Sequence, residues 1–387
     1  MLGARLADAE FFLDVDRRQS SESRREGLDR VTFAEGLGSL LDRSERIERL
    51  TGLLLKQLGL DQSVVDAAQR AAHFCKNDLV SQMVGEFPEL QGLMGGKYLL
   101  EEGEPRDVAL AVVEHYLPRG AGDALPATPA GAVVALAERL ELLLSIFAKG
   151  ERPTGSSDPY ALRRAGNGVV QILWGMAWRL DLMAFLSNAV EEWAALFPAF
   201  AVDASQLHND LCQLMRQRIV SQLEDDGFAP DLVQAVAGDA VSSQRLLSDP
   251  LDVKQRIQLL RDLRDSGQLD AVQAVVQRAA KLAEKGDLAR DQLVAGEVVE
   301  AERFESASEK DLFAALEQLQ PLAQRRSYQA LADALVAATP ALQAFFGDTS
   351  VMVMVDDAAL RLNRLNLLAV LRNQASVLAE FESIQSK

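Results

Sequence analysis

Histidine and cysteine are scarce, with three and two among 387 residues. The cysteines, Cys75 and Cys212, are too few for a disulfide framework and point to a reducing interior. The histidines His73, His115 and His208 stand in no catalytic arrangement. His208 and Cys212 lie four apart, where two metal ligands share a helix face, but the other two ligands of a closed site are missing. The pair is read as incidental. His73 and Cys75, two apart, point to different helix faces. No run approaches the ~20 apolar residues of a membrane span; the stretch Ile172 to Leu186 is broken by Arg179 and Asp181. Met1 to Asp14 lacks the basic and apolar regions of a secretory signal. Strand-like alternation is almost absent, Val351 to Val355 being the best candidate. There is no G-x-x-x-x-G-K-[ST] loop, no G-x-G-x-x-G after a strand and no G-x-S-x-G elbow. The paired carboxylates Glu101–Glu102 and Asp225–Asp226 sit in polar turns, where solvation explains them. The sequence offers no self-contained active site.

What is present is helical. Apolar residues recur every three or four positions, as at Leu207, Leu211, Leu214 and Met215, or at Leu360, Leu362, Leu365, Leu368 and Leu371. The fold is expected to be all-α. Composition is that of a globular chain, 48% apolar and 25% charged, long enough for two or three domains. Breakers fall at 85–88, 92–96, 118–129 and 149–159. The last ends in Asp158-Pro159, a cap followed by proline, which predicts a helix start. A looser zone around Pro198 marks the main domain boundary. Beyond it, helices are expected at 207–223, 230–237, 253–266, 269–284, 309–323, 328–338 and 357–383. No fixed-period repeat is visible, which argues against a solenoid.

Acidic residues outnumber basic ones by 57 to 40, a net charge of −17 that disfavours nonspecific polyanion binding. Local basic patches survive that sum. Tyr160 to Leu180 holds Arg163, Arg164 and Arg179 without an acid, and Ala358 to Ala379 holds Arg361, Arg364 and Arg372 likewise. Arg361 and Arg364, three apart, share a helix face. Guanidinium forks match phosphate and stack on bases. The other reading of such a row is a helix face with structural ion pairs.

Five ordered segments carry a resemblance. They are Phe33-Ala34-Glu35-Gly36-Leu37-Gly38-Ser39-Leu40; the run from Asp78-Leu79-Val80 through Met83-Val84-Gly85-Glu86-Phe87-Pro88-Glu89-Leu90-Gln91-Gly92; and Glu114-His115-Tyr116-Leu117-Pro118-Arg119. The last two are Pro153 through Asp158-Pro159-Tyr160-Ala161-Leu162-Arg163-Arg164-Ala165, and Val351-Met352-Val353-Met354 with Leu360-Arg361-Leu362-Asn363-Arg364-Leu365. Together they closely resemble the β subunit of bacterial glycyl-tRNA synthetase, and the likeness spans essentially the whole chain. It is similar to the C-terminal portion of those longer subunits and is expected to be a fragment lacking preceding tRNA-handling domains.

The resemblance implies a remnant of a preceding domain at 1–19 and an HD-like helical domain at 20–185. It further implies a linker at 186–205 and a helical-bundle anticodon-binding domain at 206–387, to which Met215 to Arg218 and Asp231 to Val236 belong. In the HD-like domain, Asn77-Asp78 stands where a His-Asp pair would hold metal, and Glu138 and Glu141 stand where aspartates are usual. The expected role is structure and acceptor-arm contact, with no metal. The chain is expected to be part of a glycine–tRNA ligase without a catalytic site or cofactor of its own, ATP and magnesium belonging to the α subunit. Its implied partners are tRNA(Gly) and that α subunit, in the cytoplasm, with no membrane and no DNA. Expected RNA contacts are Arg361, Asn363 and Arg364, then Arg216 and Arg218, for the anticodon. Arg119, Arg152, Arg163 and Arg164 are expected to contact phosphate. Each anticodon candidate has a second reading, as part of the bundle's internal polar network. Two other functions stay open: an HD-type metal-dependent phosphohydrolase and a non-catalytic helical scaffold.

Overall fold

Long helices here begin at side chains that satisfy the first unpaired amides. Ser39 caps Leu40–Leu58 in a capping box with Asp42, and Gly59, at φ +61°, ends that helix in the left-handed region. Thr128 caps Pro129–Ala148, with proline in the first turn. Ser306 and Glu309 form a second capping box on Ala307–Gln324, and Asp357 caps Ala358–Ser376. The computed structural model describes residues 2–347 and 351–385. The described chain is 71% helical and contains no β-strand, so the all-α expectation is met. Val351 to Val355 is irregular, not a strand.

The chain divides into two compact units, residues 1–222 with 243–251, and residues 223–242 with 252–387. The linker expected at 186–205 falls inside the first unit and is mostly helix: Leu182–Leu196 buries Val190 and Trp193. Pro198 opens only a short 3-10 turn.

The first unit is built around Pro129–Ala148. Val133, Leu136, Leu140, Leu144 and Ile146 on this helix are fully buried. A helix apolar on nearly every side has to be surrounded. Leu40–Leu58, Gln62–Phe74, Arg106–Glu114, Leu162–Gly175 and Leu182–Leu196 all pack on it. The 78–92 segment is folded back by one carboxylate: Asp78 Oδ2 accepts the amides of Gly92 at 2.6 Å and Gly95 at 2.9 Å. Gly92, at φ +81°, takes a turn that a larger residue resists, and a Cβ there would lie 2.8 Å from the Tyr116 ring.

The second unit packs Leu269–Ala283 on Ala358–Ser376, and Ala307–Gln324 on Tyr328–Gly347 and on Ala358–Ser376. Tyr328–Gly347 continues past the expected end at 338, through Pro340. It is long and apolar enough in composition to cross a membrane. Its buried positions, Leu331, Leu335, Leu342 and Phe345, form the stripe by which it packs into the unit. Residues 284–306 contain only short 3-10 turns. Beside the segment's own turn bonds, side chains of Ala358–Ser376 take up several of its backbone carbonyls. Asn373 Nδ2 donates to the carbonyls of Ala289 and Gln292, Gln374 Nε2 to that of Leu293, and Asn366 Nδ2 to that of Val298. Buried backbone groups outside regular structure need such partners.

Candidate nucleic-acid interface

The helix expected to start at Asp158-Pro159 begins at Leu162. Asp158 still caps it from a distance, its carboxylate accepting the amides of Leu162 at 2.7 Å and Arg163 at 3.0 Å. This turn presents Tyr160 half-buried and Arg164 exposed. Opposite, Arg139 anchors the 115–118 turn. Its Nη2 donates to the carbonyls of Tyr116 at 3.0 Å and Pro118 at 2.7 Å, and its Nη1 to that of Ala135 at 2.8 Å. Gly168 makes room for this, since a Cβ there would fall 2.3 Å from Arg139 Nε. The anchored turn leads to Arg119, whose amide donates to Asp123 Oδ2 at 2.8 Å and whose side chain is exposed.

The two turns border an open cavity of about 280 Å³, lined by Gln91, Tyr116, Arg119, Glu138, Tyr160 and Arg164, with Arg139 in its wall. Gln91, Tyr116 with Arg119, and Tyr160 with Arg164 come from three of the five segments singled out in the sequence. Among the described residues, neither Arg119 nor Arg164 has a side-chain hydrogen bond or ion pair.

Behind the cavity lies a dense ionic network. Arg43 donates to Glu138 Oε1 at 2.8 Å and Glu141 Oε2 at 2.7 Å. Arg46 donates to Glu141 Oε1 at 2.8 Å, and Lys76 Nζ to Glu138 Oε1 at 3.0 Å. Lys76 also sits 3.7 Å from the centroid of the Tyr116 ring. Burial pushes the Glu138 carboxyl up, but Lys76, Arg43 and Arg139 outweigh it and hold it well below the usual carboxylate range. Burial depresses the Lys76 ammonium, against the pull of Glu138. Glu138 and Glu141 therefore do not fit a metal centre, because built-in cations already neutralise both carboxylates. The position preceding Asp78 is Asn77, which is fully buried.

The remaining expected contacts fare differently. Arg152 is half-buried, with Nε and Nη2 on Asp210 at 2.9 and 2.7 Å and Nη1 on the carbonyl of Phe147 at 2.6 Å. That geometry ties a loop to Ala204–Asp225. Arg163 is half-buried, as are Arg216 and Arg218, and the stem of Arg218 crosses Gly166.

In the second unit Arg364 is 1% exposed. It donates to Glu309 Oε1 at 2.7 Å, Glu305 Oε2 at 3.0 Å and the carbonyl of Met352 at 2.9 Å. Asn363 is also buried, accepting from the amide of Glu300 at 2.7 Å and donating to its carbonyl at 3.1 Å. The expectation that Arg364 and Asn363 face RNA is corrected: both are spent inside the unit. Arg361 is half-buried and donates to the carbonyl of Val355 at 2.8 Å. Around it Met352, Met354 and Leu362 are 63%, 46% and 46% exposed. These exposed methionines, and Tyr116 and Tyr160 of the cavity, were not among the expected contacts. Their signal was presence in the singled-out segments. Cys212 lies 3.5 Å from His208 Nε2, and burial pushes its thiol up to about 11. It is a neutral thiol at ordinary pH.

A family model described as glycyl-tRNA synthetase beta subunit matches residues 1–238. The chain is 45% identical over 391 residues to the glycine–tRNA ligase beta subunit of Acaryochloris marina, covering 99% of this chain and 54% of that protein. It is 44% identical to that of Picosynechococcus, with the same coverage. It is 39% identical to that of Chromohalobacter salexigens, covering 98% of this chain and 53% of the relative. The chain thus spans about half the length of the curated relatives it matches.

Proposed function

Because the chain belongs to the glycyl-tRNA synthetase beta subunit family, we propose that it handles tRNA(Gly) for a cytoplasmic glycine–tRNA ligase. In this reading the first unit contacts the acceptor arm and the second the anticodon region. A separate alpha subunit, with ATP and magnesium, activates glycine, and this chain supplies neither a cofactor nor a catalytic group. Glycine presents only a hydrogen as side chain, so the amino-acid site works by excluding larger substrates and the tRNA is identified from its RNA.

The observation that carries the reading is the cavity where Arg119 and Arg164, exposed and without salt bridges among the described residues, stand beside two tyrosines. Guanidinium groups with aromatic rings are what phosphate and an unstacked base require. A net charge of −17 opposes RNA at long range, but screening at physiological salt confines that field to about 8 Å. For the anticodon region, Arg361 with the exposed Met352, Met354 and Leu362 offers one cation and an apolar surface for bases.

Filter binding of tRNA(Gly) across a salt series tests the reading. Affinity should fall steeply as salt rises; affinity indifferent to salt removes phosphate contact. In the reconstituted enzyme, Arg119→Ala with Arg164→Ala should lower glycylation and leave glycine-dependent ATP–pyrophosphate exchange intact. Loss of both activities together contradicts a role confined to tRNA.

A further inference from the structure

Glu138 keeps one acceptor in reserve. Its Oε1 takes both Arg43 and Lys76, whereas Oε2 has no hydrogen-bond partner among the described residues. The side chain is 13% exposed and lines the 280 Å³ cavity. An ionised carboxylate accepts and never donates, so the inner end of the cavity selects for a donor. The remaining wall has a different character: Tyr160 is half-buried, Arg119 and Arg164 are exposed, and Tyr116 is covered by Lys76 and His115.

We propose that this cavity receives one unpaired ribonucleotide, with its phosphate on Arg119 and Arg164, its base against Tyr160 and a ribose hydroxyl donating to Glu138 Oε2. The proposal rests on the RNA-binding reading above and narrows it from a surface to a pocket. Hydrogen bonding sets the direction of entry. The inner acceptor, Glu138 Oε2, offers a phosphate oxygen no donor, and Arg139 in the wall is spent on carbonyls, whereas Arg119 and Arg164 are exposed, so sugar and base go in first. The volume, about 280 Å³, is just under the ~300–1,000 Å³ of small-molecule pockets and suits one nucleotide better than a larger group. The ribose 2′-hydroxyl is the group that separates RNA from DNA at such a site, and an acceptor with no competing donor reads it directly.

Fluorescence anisotropy on the 387-residue chain tests this. The probes are a single-stranded adenosine tetranucleotide, its deoxy counterpart, free adenosine 5′-monophosphate as competitor, and tRNA. The ribo-tetranucleotide should bind about fivefold tighter than the deoxy form, the worth of one hydrogen bond of ~1 kcal/mol. Tyr160→Ala, which breaks no side-chain hydrogen bond, should weaken it about tenfold through lost stacking. Arg164→Ala should lower the salt slope by about 1. Glu138→Gln should erase the ribo preference and keep the slope. Because that variant disturbs Lys76, Tyr160→Ala carries the test should Glu138→Gln fail to fold. Competition by the free monophosphate at matching concentration assigns the pocket to nucleotides as such. A tetranucleotide preferred by more than about tenfold assigns it to RNA. Equal ribo and deoxy binding, or an inert Tyr160→Ala, overturns the pocket. If tRNA still binds in a salt-dependent way, the broader reading stands; if no RNA binds, both fall.

Discussion

Both units bury arginines in ion pairs, but they differ in where the arginines expected to touch RNA end up. In the first, Arg119 and Arg164 lie exposed beside a cavity, without ion pairs among the described residues, while the carboxylates behind them are neutralised by Arg43, Arg46 and Lys76. In the second, the arginine that sequence spacing favours most, Arg364, is buried on Glu309 and braces the irregular stretch at Met352. Spacing establishes that two side chains share a helix face. It does not establish whether that face meets solvent. Ala358–Ser376 packs on Leu269–Ala283 and Ala307–Gln324 while also splinting residues 284–306, so little of its surface is left for RNA.

The largest expected effect tests that contrast directly. Arg364→Ala strands Glu309, which is itself fully buried and also accepts the amides of Glu305 and Ser306. Breaking such a pair costs about 3–5 kcal/mol, whereas apolar replacement of both partners is often close to neutral. Urea denaturation should show a strongly destabilised Arg364→Ala, and Arg364→Met with Glu309→Gln, which removes the stranded charge and keeps an acceptor for the amides of Glu305 and Ser306, should recover part of the loss. A fully stable Arg364→Ala with reduced RNA affinity would reverse the assignment and make the two units alike.

The next effect concerns the first unit's own buried carboxylate. Asp78→Ala leaves the amides of Gly92 and Gly95 without their acceptor in a fully buried site. Unpaired buried donors cost about 1–3 kcal/mol each, so for two of them thermal unfolding should show a loss of about 2–6 kcal/mol. RNA affinity should fall with it, because Gln91 lies on the same folded-back segment and lines the cavity.

The helical class was legible because it depends on local periodicity, as at Leu207, Leu211, Leu214 and Met215 on Ala204–Asp225. The start at Asp158 was misplaced by a turn because Ala161 adopts φ +56° and the carboxylate caps across it. The boundary expected near Pro198 failed for a tertiary reason, Trp193 donating to Ser145 inside the first unit's core. Of the expected contacts, Arg119 emerges exposed on a loop and Arg164 in the first turn of its helix. Arg364 and Asn363 do not, since their partners, Glu309 in the first turn of Ala307–Gln324 and Glu300 in the preceding loop, lie 55 and 63 residues away in sequence, beyond any periodicity.

A sharper version of the contrast comes from removing charge where no fold depends on it. Arg119→Ala with Arg164→Ala should change stability by less than about 0.5 kcal/mol, as usual for exposed sites. The salt slope of tRNA binding should fall by about 2, and affinity by about tenfold at physiological salt. Urea curves that coincide with wild type, beside a flattened salt dependence, separate surface arginine from buried arginine by measurement. A destabilised double variant would show that these side chains, too, hold structure.

The smallest expected effect asks whether ion pairing in the second unit is felt as pH changes. Asp231 accepts Arg264 Nη1 at 2.9 Å and Nη2 at 2.6 Å, and the amide of Gln385 at 2.9 Å. The Arg264 hydrogen bonds hold its carboxyl down at about 2, below the ordinary 3.8. A carboxylate depressed on folding stabilises the folded chain above its unfolded pKa. That contribution is lost as pH falls through the folded value, so the window runs from about 4 to about 2. With solvent screening the contribution is about 1 kcal/mol. Asp231→Asn should therefore lower stability by about that amount at pH 7 and converge on wild type near pH 2. A difference that persists undiminished at pH 2 would assign the role of Asp231 to its neutral hydrogen bonds, and the unit's dependence on ion pairs would then rest on Arg364 and Glu309.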